Sequence, residues 1–197
     1  KNATAYDLEA WVNSVKENGG YYIGRYEASY ASGTSVENYK AATKVSEGNS
    51  ISSMSYNPGT LWNFITQLEA SKVAINTYAD SSVAKSDLVN SYAWDTAIVF
   101  IQECGKINYA NQDGYSINNN LINTGTGQDE VCKINDIASN IMEWTTEYSS
   151  YNNSSNTSPC IGRGGYYYDS NPFATIRSTD SATNKYSSVG FRLSLYM

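Results

Sequence analysis

Arg163-Gly164-Gly165, then YYYDSNPFATIRSTDSATNKYSSV over 166–189, then Gly190-Phe191-Arg192: this stretch decides how the chain is read. Each frame carries an arginine and glycine, and 16 of the 24 residues between them are Tyr, Ser, Asn, Asp or Thr. That mix is poor material for a packed core and good material for a contact surface. Tyrosine brings rigid amphipathic area at low entropy cost, while small polar residues adapt their hydrogen bonds. The segment therefore reads first as a recognition surface.

The rest of the chain fits that role. At 197 residues with 41% hydrophobic content, it can bury the core of one sizeable domain and is neither disordered nor membranous in composition. No apolar run approaches a membrane span, and no signal peptide is visible. A chain that starts at Lys1 reads as a fragment or processed form, so a missing leader says little. A net charge of −6 without a basic run argues against a nucleic-acid partner. The complete absence of histidine excludes Ser-His-Asp and Cys-His catalysis and the usual His-containing zinc sites. Cys104, Cys132 and Cys160 form no CxxC pair, and both a single disulfide and an all-reduced set fit their spacing.

Hydrophobic periodicity places a helix over 5–17, with Leu8, Trp11, Val12 and Val15 on one stripe, Thr4 as its cap and Asn18-Gly19-Gly20 as its stop. Aromatic-rich Tyr21–Tyr30 suits a strand, and Ala31–Thr60 reads mainly as loop. Leu61, Ile65 and Leu68 set a helical period through about Tyr78. Trp94, Ala97, Ile98 and Ile101 set another over Tyr92–Cys104. A long loop is expected over 105–130, alternating apolar character over Ile134–Trp144, and a closing strand over Val189–Leu195. Together these give one α+β domain over 1–197.

Four blocks in this order resemble formylglycine-generating-enzyme-type (sulfatase-modifying-factor) domains. Asn18–Ser29 (NGGYYIGRYEAS) resembles their amino-terminal strand signature, and Ser91–Ala97 (SYAWDTA) their second-helix motif. Ser139–Thr145 (SNIMEWT) resembles their GNVWEWT block, and Arg163-Gly164-Gly165 with Val189-Gly190-Phe191-Arg192 their closing RGGS…GFR pair. The resemblance implies a C-type-lectin-like fold with two main helices, a small twisted antiparallel sheet, long irregular loops, and paired amino- and carboxyl-terminal strands. Trp144, Phe191 and the motif glycines would be architecture, with Arg163 and Arg192 satisfying buried carbonyls or Glu27.

Enzymes of that family use two copper-binding cysteines after the RGGS block. Here the corresponding places hold approximately Asp169 and Ala174, and no cysteine follows Cys160. Thiolate is a soft ligand for Cu(I) that small polar residues do not replace. The related sulfoxide synthases need a histidine cluster that is absent. A non-catalytic binder remains, similar to the variable proteins of diversity-generating retroelements, with 163–197 as the variable-region-like, hypervariable segment. Single and double changes of AAC codons reach most of its residue types. The expected contact residues are Tyr166, Tyr168, Asp169, Ser170, Asn171, Phe173, Thr175, Arg177, Thr179, Asn184 and Tyr186. Tyr167 is expected to point inward, by alternation with its neighbours.

No cofactor is required on this reading, although Asp136, Ser139, Ile141 and Glu143 match family positions that hold a structural calcium. The expected partner is a protein or glycan on a host or neighbouring cell surface, with display on a cell or virion and no membrane insertion. The alternatives are a formylglycine-generating-enzyme-like oxidoreductase, and a structural surface or virion subunit without a specific ligand.

Overall fold

A computed structural model describes residues 8–44, 46, 59–111, 120–149, 158–169 and 173–197. In chain order, helix α1 (Leu8–Asn18) leads into β1 (Tyr22–Ile23), β2 (Ser29–Ser32) and β3 (Lys40–Ala42). Helix α2 (Gln67–Thr77), β4 (Lys85–Leu88) and helix α3 (Ser91–Cys104) follow, then a 3-10 turn at Tyr109–Asn111. The last half holds β5 (Glu130–Val131), β6 (Ile134–Asn135), β7 (Met142–Tyr148), β8 (Cys160–Arg163), β9 (Arg177–Asp180), β10 (Val189–Phe191) and β11 (Leu193–Tyr196).

The closing strand is two strands with a break at Arg192. β10 runs parallel to β7, with Val189 opposite Met142 and Phe191 opposite Trp144. β11 then lies antiparallel between β1 and β4, pairing Leu195 with Tyr22 and Leu193 with Leu88. One continuous strand cannot serve both sets of partners, and Arg192 marks the switch. The terminal strands therefore pair as the resemblance implies, and β10–β7 adds a parallel pair to an otherwise antiparallel arrangement. The second sheet has the order β10-β7-β8-β9, which leaves β9 at an edge.

Tyr21–Tyr30 is likewise two strands. The chain bends at Arg25-Tyr26, and the Arg25 carbonyl accepts from Asn135 N before Ala28 N bonds Phe191 O. Ala31–Thr60 is not all loop, because Lys40–Ala42 pairs back onto β2. The helix read from Leu61 begins six residues later. Leu61 bridges Ser29 as extended chain, and α2 starts where Thr66 and Glu69 close a reciprocal capping box. Leu68, counted on its apolar stripe, is exposed. α3 matches its period: Ala93, Trp94, Ala97, Ile98 and Ile101 are buried, and the Asn90 side chain caps Ala93 N at 2.9 Å. Thr4, the expected cap, and the expected helix start at residue 5 lie outside the described residues.

Two apolar clusters fill the interior. Trp62, Trp144, Phe191, Val73 and Leu88 anchor one; Trp94, Ile98, Ile101, Tyr109 and Ile137 anchor the other. Each buried aromatic or large aliphatic side chain stabilises by about 1.5–3 kcal/mol relative to exposure. Two of the tryptophan N–H groups are used as well. Trp94 donates to the Ala174 carbonyl at 3.0 Å and Trp144 to that of Ile65 at 2.9 Å, which pins the Tyr-rich segment and the start of α2 to the core.

Candidate functional site

The frames of the Tyr-rich segment are rigid for steric and electrostatic reasons. Gly164 has φ +81°, and a Cβ there would lie 2.5 Å from the Ile137 carbonyl oxygen. A Cβ on Gly190 would meet Ile141 and lie 2.5 Å from the Trp62 carbonyl oxygen. Arg192 is fully buried. Its guanidinium donates to both Glu143 oxygens, to Gly24 O at 2.7 Å and to Asn135 O at 2.6 Å. It does not bond Glu27 directly. Glu27 accepts from Asn140 Nδ2 at 2.6 Å and Ile141 N at 3.1 Å.

Arg163 departs further from expectation, because carboxylates hold it rather than carbonyls or Glu27. Asp95 of α3 bonds its Nη2, and Glu147 of β7 stands 3.4 Å from its Nε as an ion pair without hydrogen-bond geometry. α3 runs beside β8 there, so a carboxylate one residue past Trp94 reaches the guanidinium that also sits over the Trp94 ring.

Around Arg192 the buried carboxylates outnumber the cation. Glu27, Asp129, Asp136 and Glu143 are all buried. Burial, then the charges of Asp136 and Glu143, hold the Glu27 carboxyl well above the usual range. Asp136 and Glu143 are raised as well, in each case first by burial. Asp129 accepts from Tyr109 OH, Ala138 N and the Ser139 hydroxyl.

The four residues named for calcium do not form a shared oxygen cage. Glu143 is engaged by Arg192, Ser139 donates to Asp129, and Ile141 N donates to Glu27. Asp136 keeps one oxygen on Thr124 and Gly125, while its Oδ1, like Asn123 Oδ1, is buried without a hydrogen-bond partner among the described residues. Calcium takes six to eight oxygens. Among the described residues no group of three or more acidic or thiol side chains is placed to hold a metal. Ser139 is not strained; the left-handed residues of this turn are Asp136 and Asn140.

Above this frame the insert is held by its backbone. Tyr167 N donates to Asn140 O at 2.8 Å, Phe64 N to Tyr186 O at 3.0 Å, and Asn63 Nδ2 to Ser187 O at 2.6 Å. Lys185 adds an ion pair to Glu69 of the α2 capping box. The tyrosine side chains, by contrast, meet one another. Tyr166 and Tyr168 ring centroids are 4.6 Å apart, and Tyr167 and Tyr168 4.8 Å. The Tyr167 and Tyr168 hydroxyls meet those of Ser187 and Ser188, each at 3.2 Å. Asn184 bridges Asp180 and Tyr186 OH at 2.6 and 2.7 Å, and Tyr168 lies close enough to Tyr186 to act on its hydroxyl. Burial first, then Asp180, raises the Tyr186 hydroxyl above its ordinary pKa, so it stays a neutral donor.

Tyr166, Tyr168, Asp169, Asn184 and Tyr186 are thus brought together. Tyr168 and Tyr186 are 52% and 39% exposed, as a contact surface requires. The inward assignment of Tyr167 fails, because 166–168 enter a turn and not a strand, so alternation does not apply. Tyr167 is half-buried, and Tyr166 is the ring packed against the core. Thr175 and Arg177 are drawn away from the tyrosines: Thr175 donates to Ala110 O, and Arg177 pairs with Glu147 at 2.6 Å. Thr179 is exposed on edge strand β9, Phe173 is half-buried, and Ser170 and Asn171 lie outside the described residues. Tyr167 and Asp180, not among the expected contact residues, lie in the same cluster of the insert.

A separate apolar groove of about 870 Å³ runs between α1 and α3, lined by Leu8, Trp11, Val12, Val15, Tyr92 and Thr96. It shares no residue with the tyrosine face.

At the level of sequence, no family profile and no curated protein matches the chain. Solved structures do resemble it. CarF is 12% identical, covers 100% of this chain and 84% of its own length, and superposes with a TM-score of 0.55. Variable protein 1 of Treponema denticola is 13% identical with a TM-score of 0.50, over 87% of this chain and 92% of that one. PvdO of Pseudomonas aeruginosa is 11% identical with a TM-score of 0.58, over 90% and 80% respectively. Likeness at that identity shows the fold: an α+β C-type-lectin-like fold of the formylglycine-generating-enzyme type.

Proposed function

We propose that this protein is a non-catalytic recognition protein whose C-terminal segment presents a diversifiable, tyrosine-rich binding face, as variable proteins of diversity-generating retroelements do. One observation carries the reading. The insert's backbone is fastened to the scaffold at Asn140, Asn63 and Phe64, whereas its outward side chains bond mainly one another. Such a surface can change side chains without changing shape, and a pre-shaped face loses less entropy when it binds. The shared fold with a variable protein is consistent with this use.

Catalysis has little support in these residues. The chain has no histidine, and the two positions that would carry copper-binding cysteines hold approximately Asp169 and buried Ala174. The ligand is a protein or glycan on a neighbouring or host cell surface, met by a face displayed on a cell or virion. Half-exposed tyrosines suit either chemistry, and the acidic chain does not suit nucleic acid.

The test is a screen of the purified protein against arrays of glycans and extracellular proteins, repeated with Tyr168→Ala and Tyr186→Ala. Each substitution is expected to weaken a captured ligand by about 2 kcal/mol, roughly thirtyfold in Kd. Ligands held equally well by both variants, or copper-dependent oxygen uptake with a thiol peptide, would overturn the reading.

A further inference from the structure

Two of the three cysteines meet at a junction outside the tyrosine face. α3 ends on Cys104, which is exposed, with Gly105 as its cap. The β5–β6 hairpin turns on Cys132-Lys133, both left-handed at φ 51° and 68°. A two-residue turn of that kind favours Asn-Gly, because a side chain at positive φ crowds the following carbonyl. A cysteine there stands against the local preference. Its sulfur points at the end of α3: the Cys132 and Cys104 thiols hydrogen-bond, and Cys132 Sγ lies 4.0 Å from where a Cβ on Gly105 would sit. Burial, then the adjoining Cys104 thiol, raises the Cys132 thiol above its ordinary value, which favours its protonated form. Cys160 differs. It is buried in β8, and burial followed by the charge of Asp180 pushes its thiol up to about 11, which keeps it inert.

We infer that Cys104 and Cys132 are a redox clasp, closing to an intramolecular disulfide when the protein meets a small-molecule disulfide such as oxidised glutathione. One protein thiolate attacks a glutathione sulfur and expels a glutathione thiolate, leaving a mixed disulfide. The second protein thiolate attacks the protein sulfur of that intermediate and expels the other glutathione. Two protein thiols lose two protons and two electrons, and oxidised glutathione is reduced to two thiols. The link joins the end of α3 to the hairpin across 28 residues of sequence. That span carries Asp129, which bonds Ala138 and Ser139, and Thr124 and Gly125, which bond Asp136. Closing it restricts the unfolded chain and fastens the buttress of the Asp136–Asn140 turn.

The test treats folded protein with oxidised glutathione, counts thiols in denaturant and maps the linked peptides. Wild type is expected to fall from three free thiols to one, with an intact mass lower by two hydrogens. Cys160→Ser should fall from two to none, and Cys104→Ser and Cys132→Ser should form no intramolecular link. The oxidised wild type should melt several degrees higher, reversed by dithiothreitol. Three thiols persisting in folded protein, a stable glutathione adduct that never resolves, or a link to Cys160 would overturn the proposal. Circular dichroism on each serine variant confirms that its result comes from folded protein.

Discussion

Arg192 and Tyr168 use polar chemistry in opposite ways. Arg192 is fully buried and makes five hydrogen bonds, to Glu143, Gly24 and Asn135, so three separated parts of the chain converge on one guanidinium. Tyr168 is half exposed, leans on two neighbouring rings and touches one serine hydroxyl. Changing the first strands buried partners; changing the second alters only what the surface offers. The pair separates side chains that hold the frame from side chains that face solvent.

The largest effect is expected from Arg192→Met. Removing one partner of a buried pair leaves Glu143 charged and two carbonyls without donors, a loss of about 3–5 kcal/mol. That is a large share of the 5–15 kcal/mol a domain holds in total. Urea unfolding of the variant, or its failure to yield folded protein, reads this; a midpoint near wild type would break the comparison. Gly190→Ala comes next, at about 1–3 kcal/mol, because its methyl meets the Trp62 carbonyl and Ile141 and the backbone must shift. Differential scanning calorimetry reads that loss.

The acid-rich surroundings of Arg192 give a pH dependence of definite sign. Glu27 has a folded pKa above that of the unfolded chain, about 4.3 for a free glutamate. From that pH up to the raised folded pKa, the folded state holds more protons than the unfolded one. Its contribution to stability therefore falls as pH rises through that window. Melting temperatures measured from pH 5 to pH 8 should decline, and a rise across that range would refute the assignment. Tyr168→Ala lies at the small end, costing about 1 kcal/mol or less, the worth of its ring contacts. Calcium is expected to leave the melting temperature where it is, since Glu143 is already neutralised by Arg192. A chelator-reversible rise would return Asp136 and its Oδ1 to a metal site.

Much of this was legible in the sequence. The RGG and GFR frames and the EW block pointed to the fold, and the α3 period named Trp94, Ala97, Ile98 and Ile101 of its buried face. What stayed hidden was set by tertiary context. Leu61 fits the apolar spacing of a helix, and the local signal that starts α2 later is the Thr66–Glu69 capping box. The break at Arg192 depends on β7 and β4 being available as different partners for adjacent residues. Alternation placed Tyr167 inward, and a turn has no period of two. Arg177, an expected contact residue, is exposed on β9, and its ion pair with Glu147 was hidden because that partner lies 30 residues away on another strand.

The most direct test of the central claim combines Tyr168→Ser, Thr179→Ser, Asn184→Ser and Tyr186→Ser in one variant and compares its melting temperature and array binding with wild type. The expected result is a melting temperature within a few degrees of wild type with every captured ligand lost. A variant that unfolds, or one that keeps its ligands, would show that this surface is structure and not site.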